Sequence, residues 1–311
     1  MISVVIPSHN RMQKLKELLE SLEKQTYRRF EIIVVSDSKD GTEEMVKEFV
    51  KKSKIPTRFF RKVSDGPSQK RNVGIKHAKG KFVAFIDDDC VADLQWLKNI
   101  VKTFSKGCGG VEGRTFTDNT RGPFSHYILN EKGGQYMTCN MAYRRDILVK
   151  IGGFDENFTS SVTIGREDSD LAFSVLEKGY EIAFAKNAVV KHPVIRTSFT
   201  NRLKKKKDFF LDPLLFKKHP NLYKNKIKFP FELFTPIYIL FFILSFIQVY
   251  FSLGLLITSL AEIKYRSWSV NFLEFVKFVC LQTVGSFVIV IYYFYGCLKF
   301  RVNPIRQIIL I

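Results

Sequence analysis

The chain has 311 residues, 46% of them hydrophobic, and 49 Lys and Arg against 30 Asp and Glu leave a formal net charge of +19. Such a length holds one large domain or two ordinary ones, and the charge calls for a polyanionic partner: nucleic acid, anionic lipid or a phosphorylated substrate. The five cysteines (Cys90, Cys108, Cys139, Cys280 and Cys297) are scattered without a C-x-x-C, which argues against a zinc framework and a disulfide scaffold and places the soluble part in a reducing compartment.

The opening Met1-Ile2-Ser3-Val4-Val5-Ile6-Pro7 has no basic stretch followed by a long apolar one, so no secretory signal is expected there. Ile2 to Ile6 reads as a short apolar strand. Arg11 to Lys24 carries Leu15, Leu18, Leu19 and Leu22 at helical spacing. Glu31 to Val35 is the next strand, Thr42 to Lys52 a helix with Thr42 as N-cap, and Thr57 to Arg61 a third strand. Pro67 to Ala78 is a helix with proline in its first turn, ended by Lys79-Gly80. Lys81 to Ile86 is a strand that runs into Asp87-Asp88-Asp89. This alternation predicts an α/β fold, a mostly parallel sheet covered on both faces, with ligands outside the carboxyl ends of the strands. Three of those ends are polar: Ser8-His9-Asn10, Ser36-Asp37-Ser38 and the Asp triplet.

From 109 to 195 the pattern is less regular. Strands are read near Gly110–Phe116, Met137–Tyr143, Glu181–Phe184 and Val189–Val194, and helices near Arg145–Ile151 and Asp168–Glu177. From Arg196 to Lys228 there are eleven Lys and Arg against two Asp. Within it, Lys204–Lys207 is interleaved with Phe209, Phe210, Leu211, Leu214, Leu215 and Phe216, the pattern of an interfacial amphipathic helix, against a solvated linker. Nucleic acid is set aside as a partner: no helix-turn-helix, zinc-finger or RNP-like pattern occurs, and the basic stretch adjoins lipid-grade sequence.

Leu233 to Ala261 runs 29 residues without a charge, and Phe278 to Leu298 runs 21. Each is long enough to cross a hydrocarbon core of about 30 Å. The expected organisation is therefore an α/β domain at 1–198, a basic juxtamembrane segment at 199–232, and a two-helix membrane region at 233–311 with spans near 233–261 and 278–298. Flanking Lys and Arg place both ends of that region on the cytoplasmic side and the connector 262–277 outside, a multi-pass cell-membrane protein. The first run bending at Gly254 into a re-entrant hairpin is the alternative.

Three adjacent carboxylates repel one another, so a triplet at a strand end points to a cation. On strand pitch Asp87 and Asp89 face one side and Asp88 the other. That spacing suits a hard divalent metal holding a diphosphate, the competing reading being a solvated acidic turn. Glu167-Asp168 opens the helix Asp168–Glu177, where a carboxylate either caps the helix or serves as a general base.

The first ~195 residues resemble family 2 glycosyltransferases of the GT-A fold. Val5-Ile6-Pro7-Ser8-His9-Asn10-Arg11 is similar to the family's opening strand and turn, and Ile32 to Thr42 to its second strand and acidic turn. Gln69-Lys70-Arg71-Asn72-Val73-Gly74 resembles its A-R-N-x-G helix. Phe85-Ile86-Asp87-Asp88-Asp89 matches its D-x-D motif. Asn140 to Arg145 with Ile151-Gly152-Gly153-Phe154-Asp155 resembles the acceptor-side block, and Gly165-Arg166-Glu167-Asp168 the E-D motif. The second block departs: Ser36-Asp37-Ser38-Lys39 stands where two acids and Gly-Ser are usual, and His9 where an aromatic is common.

The resemblance implies transfer of a sugar from a nucleotide diphosphate, with inversion, to a hydroxyl. It assigns Asp89 to a Mn²⁺ or Mg²⁺ ion, Asp87 to the metal or the ribose, and His192 to the metal or pyrophosphate site. Asp37 accepts from a uracil N–H, and Pro7, Ser8, His9, Arg71 and Asp88 line the nucleotide-sugar site. Asp168 is the base and Glu167 orients the acceptor. The expected partners are a nucleotide-sugar donor, UDP-linked, a lipid-linked or membrane-proximal glycan acceptor, and membrane lipids. The alternatives are a polyprenyl-phosphate glycosyltransferase and, from other classes, a membrane-bound nucleotidyltransferase or a non-enzymatic binding module.

Overall fold

The computed structural model describes residues 1–64, 66–104, 107–118, 122–227, 231–246 and 252–309. Two compact units divide the chain. The first is Met1–Thr117, Ile128–Thr159 and Glu167–Pro193, and the second is Asp118–Tyr127, Ser160–Arg166 and Val194–Ile311.

The first unit begins β1 (Ile2–Ser8), α1 (Met12–Glu23), β2 (Phe30–Ser36), α2 (Thr42–Lys52), β3 (Thr57–Arg61), α3 (Pro67–His77) and β4 (Phe82–Phe85). It continues with β5 (Val91–Ala92), α4 (Trp96–Thr103) and β6 (Cys108–Phe116); the ribbon strand β7 (Ser125–His126) belongs to the second unit. Then follow β8 (Met141–Arg144), α5 (Arg145–Ile151), α6 (Glu167–Glu177) and β9 (Glu181–Lys191). The sheet order is β3-β2-β1-β4-β8-β6-β9-β5. The half β3-β2-β1-β4 is parallel, as the βαβ alternation requires, and β8 joins it antiparallel. β1 and β2 are buried along their whole length, so both read as largely apolar runs rather than alternating ones, with the buried Ser3 donating to Glu31 between them.

Several stretches differ from the sequence expectation, among them Met137–Tyr143, where Thr138–Asn140 is a 3₁₀ turn and the strand begins at Met141. The helix α4 was not foreseen: eight residues offer one apolar face, Trp96, Leu97 and Ile100, too short for a periodic signal. The two expected strands after 180 are one strand, β9, parallel to β6 with register shifts between Cys108 and Gly110 and between Gly113 and Arg114. The irregular pairing breaks the period-2 alternation that would have revealed it.

α3 presses on β1 so closely that a Cβ at Gly74 would run into the Val5 side chain. The glycine is what lets the helix bring Lys70 and Arg71 up to the strand ends.

In the second unit, β10 (Ile195–Arg196) pairs antiparallel with β7. There follow α7 (Phe199–Lys205), a 3₁₀ segment Lys206–Leu211, α8 (Asp212–Lys218) and α9 (Pro220–Lys226). The apolar part is α10 (Thr235–Ser245), α11 (Ser252–Tyr265) and α12 (Phe272–Phe300), and α13 (Pro304–Ile309) ends the described chain.

The run 233–261 is not one spanning helix. Tyr238 of α10 shares its hydroxyl with Ser259 (3.0 Å) and Glu262 (3.3 Å) of α11. A continuous helix would hold Tyr238 and Ser259 about 31 Å apart at 1.5 Å per residue. α10 and α11 are therefore an antiparallel hairpin, and a Cβ at Gly254 would strike the Phe241 ring. The middle of the run, 247–251, lies outside the described residues. Hydropathy registers apolar length and not direction, so the turn left no signal in it. Among the described residues α12 alone is long and apolar enough to cross a membrane.

Candidate active site

The strand ends converge as the topology demands. A cleft of about 440 Å³ is lined by Pro7, Ser8, His9 and Arg11 after β1, by Ser64, Gly66, Pro67, Lys70 and Arg71 at α3, and by Asp87 and Asp88 after β4.

Asp37, at the end of β2, accepts from Lys70 Nζ at 2.5 Å and pairs with His9 Nδ1 at 2.7 Å. Lys70 also donates to the Ser8 carbonyl at 3.0 Å and is buried. Burial alone would raise the Asp37 pKa; the hydrogen bonds and charges of Lys70 and His9 outweigh it and lower it to about 2. Asp37 is thus a fixed carboxylate at the edge of the cleft. Lys70 was not singled out from the sequence, although it sits beside Arg71 in the same motif.

Arg71, 4% exposed, reaches three acids at once. It donates to Asp87 Oδ1 at 3.0 Å and to Glu167 Oε1 at 3.4 Å, and lies 3.7 Å from Asp168 Oδ1. Its guanidinium packs 5.5 Å from the centre of the Phe154 ring. The neighbouring Asn72 clamps that ring's backbone, donating to Phe154 O (2.9 Å) and accepting from Phe154 N (2.8 Å). Two motifs some eighty residues apart in sequence are thereby one structure. Burial opposes the Arg71 charge, but Asp87, Asp168 and Glu167 outweigh it and raise its pKa. The Nε–H of Arg71 is buried with no acceptor, a donor left over for a ligand or water.

Asp168 lies in the first turn of α6, where it accepts from the Thr138 backbone N–H at 3.0 Å and from Thr138 Oγ1 at 2.8 Å. Burial raises its pKa, and Arg71 and Thr138 only partly offset the rise. The outcome is an oriented carboxyl with more than ordinary basicity. Nothing in the sequence marks Thr138 as its partner. Another acid outside the motifs, Glu112, is buried and organises the loop facing β6. It accepts from Asn130 Nδ2 (2.7 Å) and from the backbone N–H of Gly134 (2.5 Å), Gln135 (2.9 Å) and Tyr136 (2.5 Å).

The triplet divides its work. Asp88 and Asp89 both accept from Arg11 Nη1, at 3.2 and 2.8 Å. Burial raises the Asp88 pKa despite Arg11. Asp89 gives Oδ2 to Arg11 and turns Oδ1 to His192 Nε2 (3.8 Å) and the Cys90 thiol (3.9 Å). His192 Nδ1 faces the Pro193 carbonyl at 2.8 Å, and since a carbonyl only accepts, the neutral ring carries its lone pair on Nε2. Asp89, Cys90 and His192 offer three donor atoms within 4.8 Å of one another. A carboxylate oxygen and an imidazole nitrogen 3.8 Å apart suit one divalent ion bound at about 2.1–2.3 Å to each. The residues present fit a metal, and the sequence expectation for Asp89 and His192 finds them side by side.

A mostly parallel sheet with acids gathered at its strand ends is the arrangement of the GT-A fold. Residues 3–154 match the family described as Glycosyl transferase family 2, and residues 123–198 the N-terminal domain of galactosyltransferase. Over that first stretch the chain is a family 2 glycosyltransferase domain. Glycosyltransferase AglE of Haloferax volcanii is 28% identical over 207 residues, 62% of this chain and 66% of that protein. Poly(ribitol-phosphate) beta-N-acetylglucosaminyltransferase TarS of Staphylococcus aureus is 37% identical over 100 residues, 31% of this chain and 18% of that protein. The match thus spans just under two thirds of AglE and a fifth or less of TarS. Among solved structures, mannosyltransferase PcManGT of Pyrobaculum calidifontis, in complex with GDP-Man and Mn²⁺, superposes with a TM-score of 0.61 at 16% identity, over 94% of this chain and 87% of that one. TarS 1–349 in complex with UDP-GlcNAc gives 0.53 at 17% identity, over 97% and 93%. Both share the fold.

Proposed function

We propose that this glycosyltransferase moves a sugar, with inversion, from a UDP-linked donor to a hydroxyl of a lipid-linked or membrane-proximal glycan at the cytoplasmic face of a membrane. The observation that carries the reading is Arg71, a single buried cation that joins the acid at the end of β4 to the acid pair at the start of α6. A donor diphosphate on one side and an acceptor hydroxyl on the other would meet across it.

In this reading Asp37 accepts from the nucleobase, Pro7 and Ser8 form the edge of its slot, and His9 covers it. Asp87 and Asp88 face the ribose and diphosphate. Asp89 and His192 would hold a Mn²⁺ or Mg²⁺ ion, with Asp87 within reach of it, and such an ion neutralises charge developing on the departing diphosphate. Asp168 takes the acceptor O–H proton as that oxygen bonds to the sugar C1 and the C1–O bond to the diphosphate breaks. Glu167, held by Arg71, orients the acceptor. Thr138 keeps the Asp168 carboxyl aimed, and its raised pKa fits a general base.

The support comes from what structures of the same fold hold: GDP-Man with Mn²⁺ in one and UDP-GlcNAc in another. The test is transfer by purified Asp168→Asn protein that still binds UDP. Undiminished transfer would remove Asp168 as base.

A further inference from the structure

A helix that crosses a membrane has its ends on opposite faces, and both ends of α12 are fastened to short segments of the second unit that run directly into the catalytic unit in sequence. At the N-terminal end, Trp268 Nε1 donates to the Tyr127 hydroxyl at 3.3 Å. Tyr127 immediately precedes Ile128, where the chain re-enters the catalytic unit. At the C-terminal end, Lys217 Nζ of α8 donates to the Phe300 carbonyl at 3.0 Å. On that same α8, Asp212 forms a bidentate pair with Arg166, at 2.5 and 3.1 Å, and Arg166 immediately precedes Glu167. Thr163 and Asp208 add a further hydrogen bond from the same loop to the 3₁₀ segment.

Between its ends α12 has the basic segment laid along it. A Cβ at Gly285 would meet the Lys206 side chain, and one at Gly296 would strike the Phe210 carbonyl. Lys206 is buried against Glu232 (2.6 Å) and Gln282 (3.1 Å), whereas Lys204, Lys205, Lys217 and Lys218 are exposed. Were α12 a spanning helix, the exposed Lys204 and Lys205, next to Lys206 at its middle, would be held at the depth of the hydrocarbon, where an ammonium group is disfavoured.

The opposite side of the unit is apolar. Val284, Ile291 and Leu298 are exposed down one stripe of α12, and Leu240, Phe246 and Ile257 on the hairpin. α10 has eleven residues, about 16 Å of helix at 1.5 Å per residue, half the hydrocarbon thickness. Its open end carries Glu232, paired with Lys206 of the basic segment, and, on the α11 side, Arg266, paired with Glu262.

We propose that the second unit is monotopic. It seats in one leaflet of an anionic bilayer, with α12 lying in the membrane plane, the α10–α11 hairpin dipping into the acyl chains, and α7–α9 at the headgroups. This replaces the two-span topology expected from hydropathy. It does not depend on the donor, the acceptor or the catalytic roles above.

The test uses the full chain in sealed membrane vesicles of known orientation, with exposed Cys280 replaced by serine. Single cysteines are introduced at Lys39 in the catalytic unit, at Ser269 before α12 and at Ile305 after it. A membrane-impermeant maleimide is expected to label all three from the same face. Labelling of Ser269→Cys and Ile305→Cys from opposite faces would overturn the proposal. If a variant fails to accumulate, protease added to vesicles holding the unmodified chain reads the same point. Cleavage near Arg266 and near Arg301 from one face supports the monotopic seating, and protection of either contradicts it.

Discussion

Arg71 donates to Asp87 across 3.0 Å and stands 3.7 Å from Asp168. One buried cation therefore balances acids that arrive from two distant stretches of chain. Arg71→Gln would leave Asp87, Glu167 and Asp168 facing one another without it. Breaking a buried ion pair by removing one partner costs about 3–5 kcal/mol. The expected outcome is a lower unfolding midpoint together with loss of transfer, read by thermal unfolding and by donor turnover. A variant as stable as the parent would show that the three acids are already protonated or solvated.

As the proposed base, Asp168 should set a pH limb. A base must be deprotonated, and burial lifts this carboxyl above its ordinary value of 3.8. Transfer should therefore fall, as pH drops, at a higher pH than an exposed aspartate would give. Asp168→Asn should lower kcat by about 10²- to 10⁴-fold, with UDP affinity kept. The limb should disappear from what activity remains, as a kcat/KM profile against pH will reveal.

Lys70→Met removes the shortest hydrogen bond to Asp37 and one to the Ser8 carbonyl. A hydrogen bond to a charged group is worth about 1.5–3 kcal/mol, so nucleotide affinity should fall about ten- to hundredfold with kcat little changed. The stability side has a defined sign. Asp37 folds with a pKa lowered to about 2 from 3.8, so its contribution is present above 3.8 and lost as pH falls through about 2. In Lys70→Met the folded pKa moves back toward 3.8, so the contribution should be smaller and its loss complete at higher pH, which unfolding midpoints between pH 2 and 5 will measure.

Gly296→Ala should loosen the second unit. The added methyl meets the Phe210 carbonyl, a backbone atom without room to yield, whereas at Gly285 it meets only the flexible end of Lys206 at 3.3 Å. Overpacking of this kind costs about 1–3 kcal/mol. Thermal unfolding in detergent should rank Gly296→Ala well below Gly285→Ala.

How far the sequence carried can be argued from particular residues. Ile2–Ser8, Phe30–Ser36 and Phe82–Phe85 are strands whose periodicity and polar ends are local properties, so the parallel half-sheet and its cleft were legible. Asp89 and His192 lie a hundred residues apart and were paired through the family pattern, and they are neighbours at 3.8 Å. Lys70, Arg11 and Thr138 were missed as site residues because their significance lies in the partner across the fold, Asp37, Asp89 and Asp168 respectively. The hairpin of α10 and α11 stood in the sequence only as an alternative bending at Gly254, which lies inside α11, and one spanning helix was preferred for another reason. Apolar length is the same whether a chain goes straight on or turns back, and Tyr238 meeting Glu262 is a tertiary fact.

The central claim is that the cleft between Asp37 and Asp89 binds a nucleoside diphosphate through a divalent ion. Calorimetric titration of the full chain with UDP, with and without Mn²⁺, tests it most directly, alongside the Asp89→Ala variant. The account predicts binding that requires Mn²⁺ in the parent and is lost in Asp89→Ala. Binding of UDP that is equally tight without metal, or unchanged in Asp89→Ala, would contradict it.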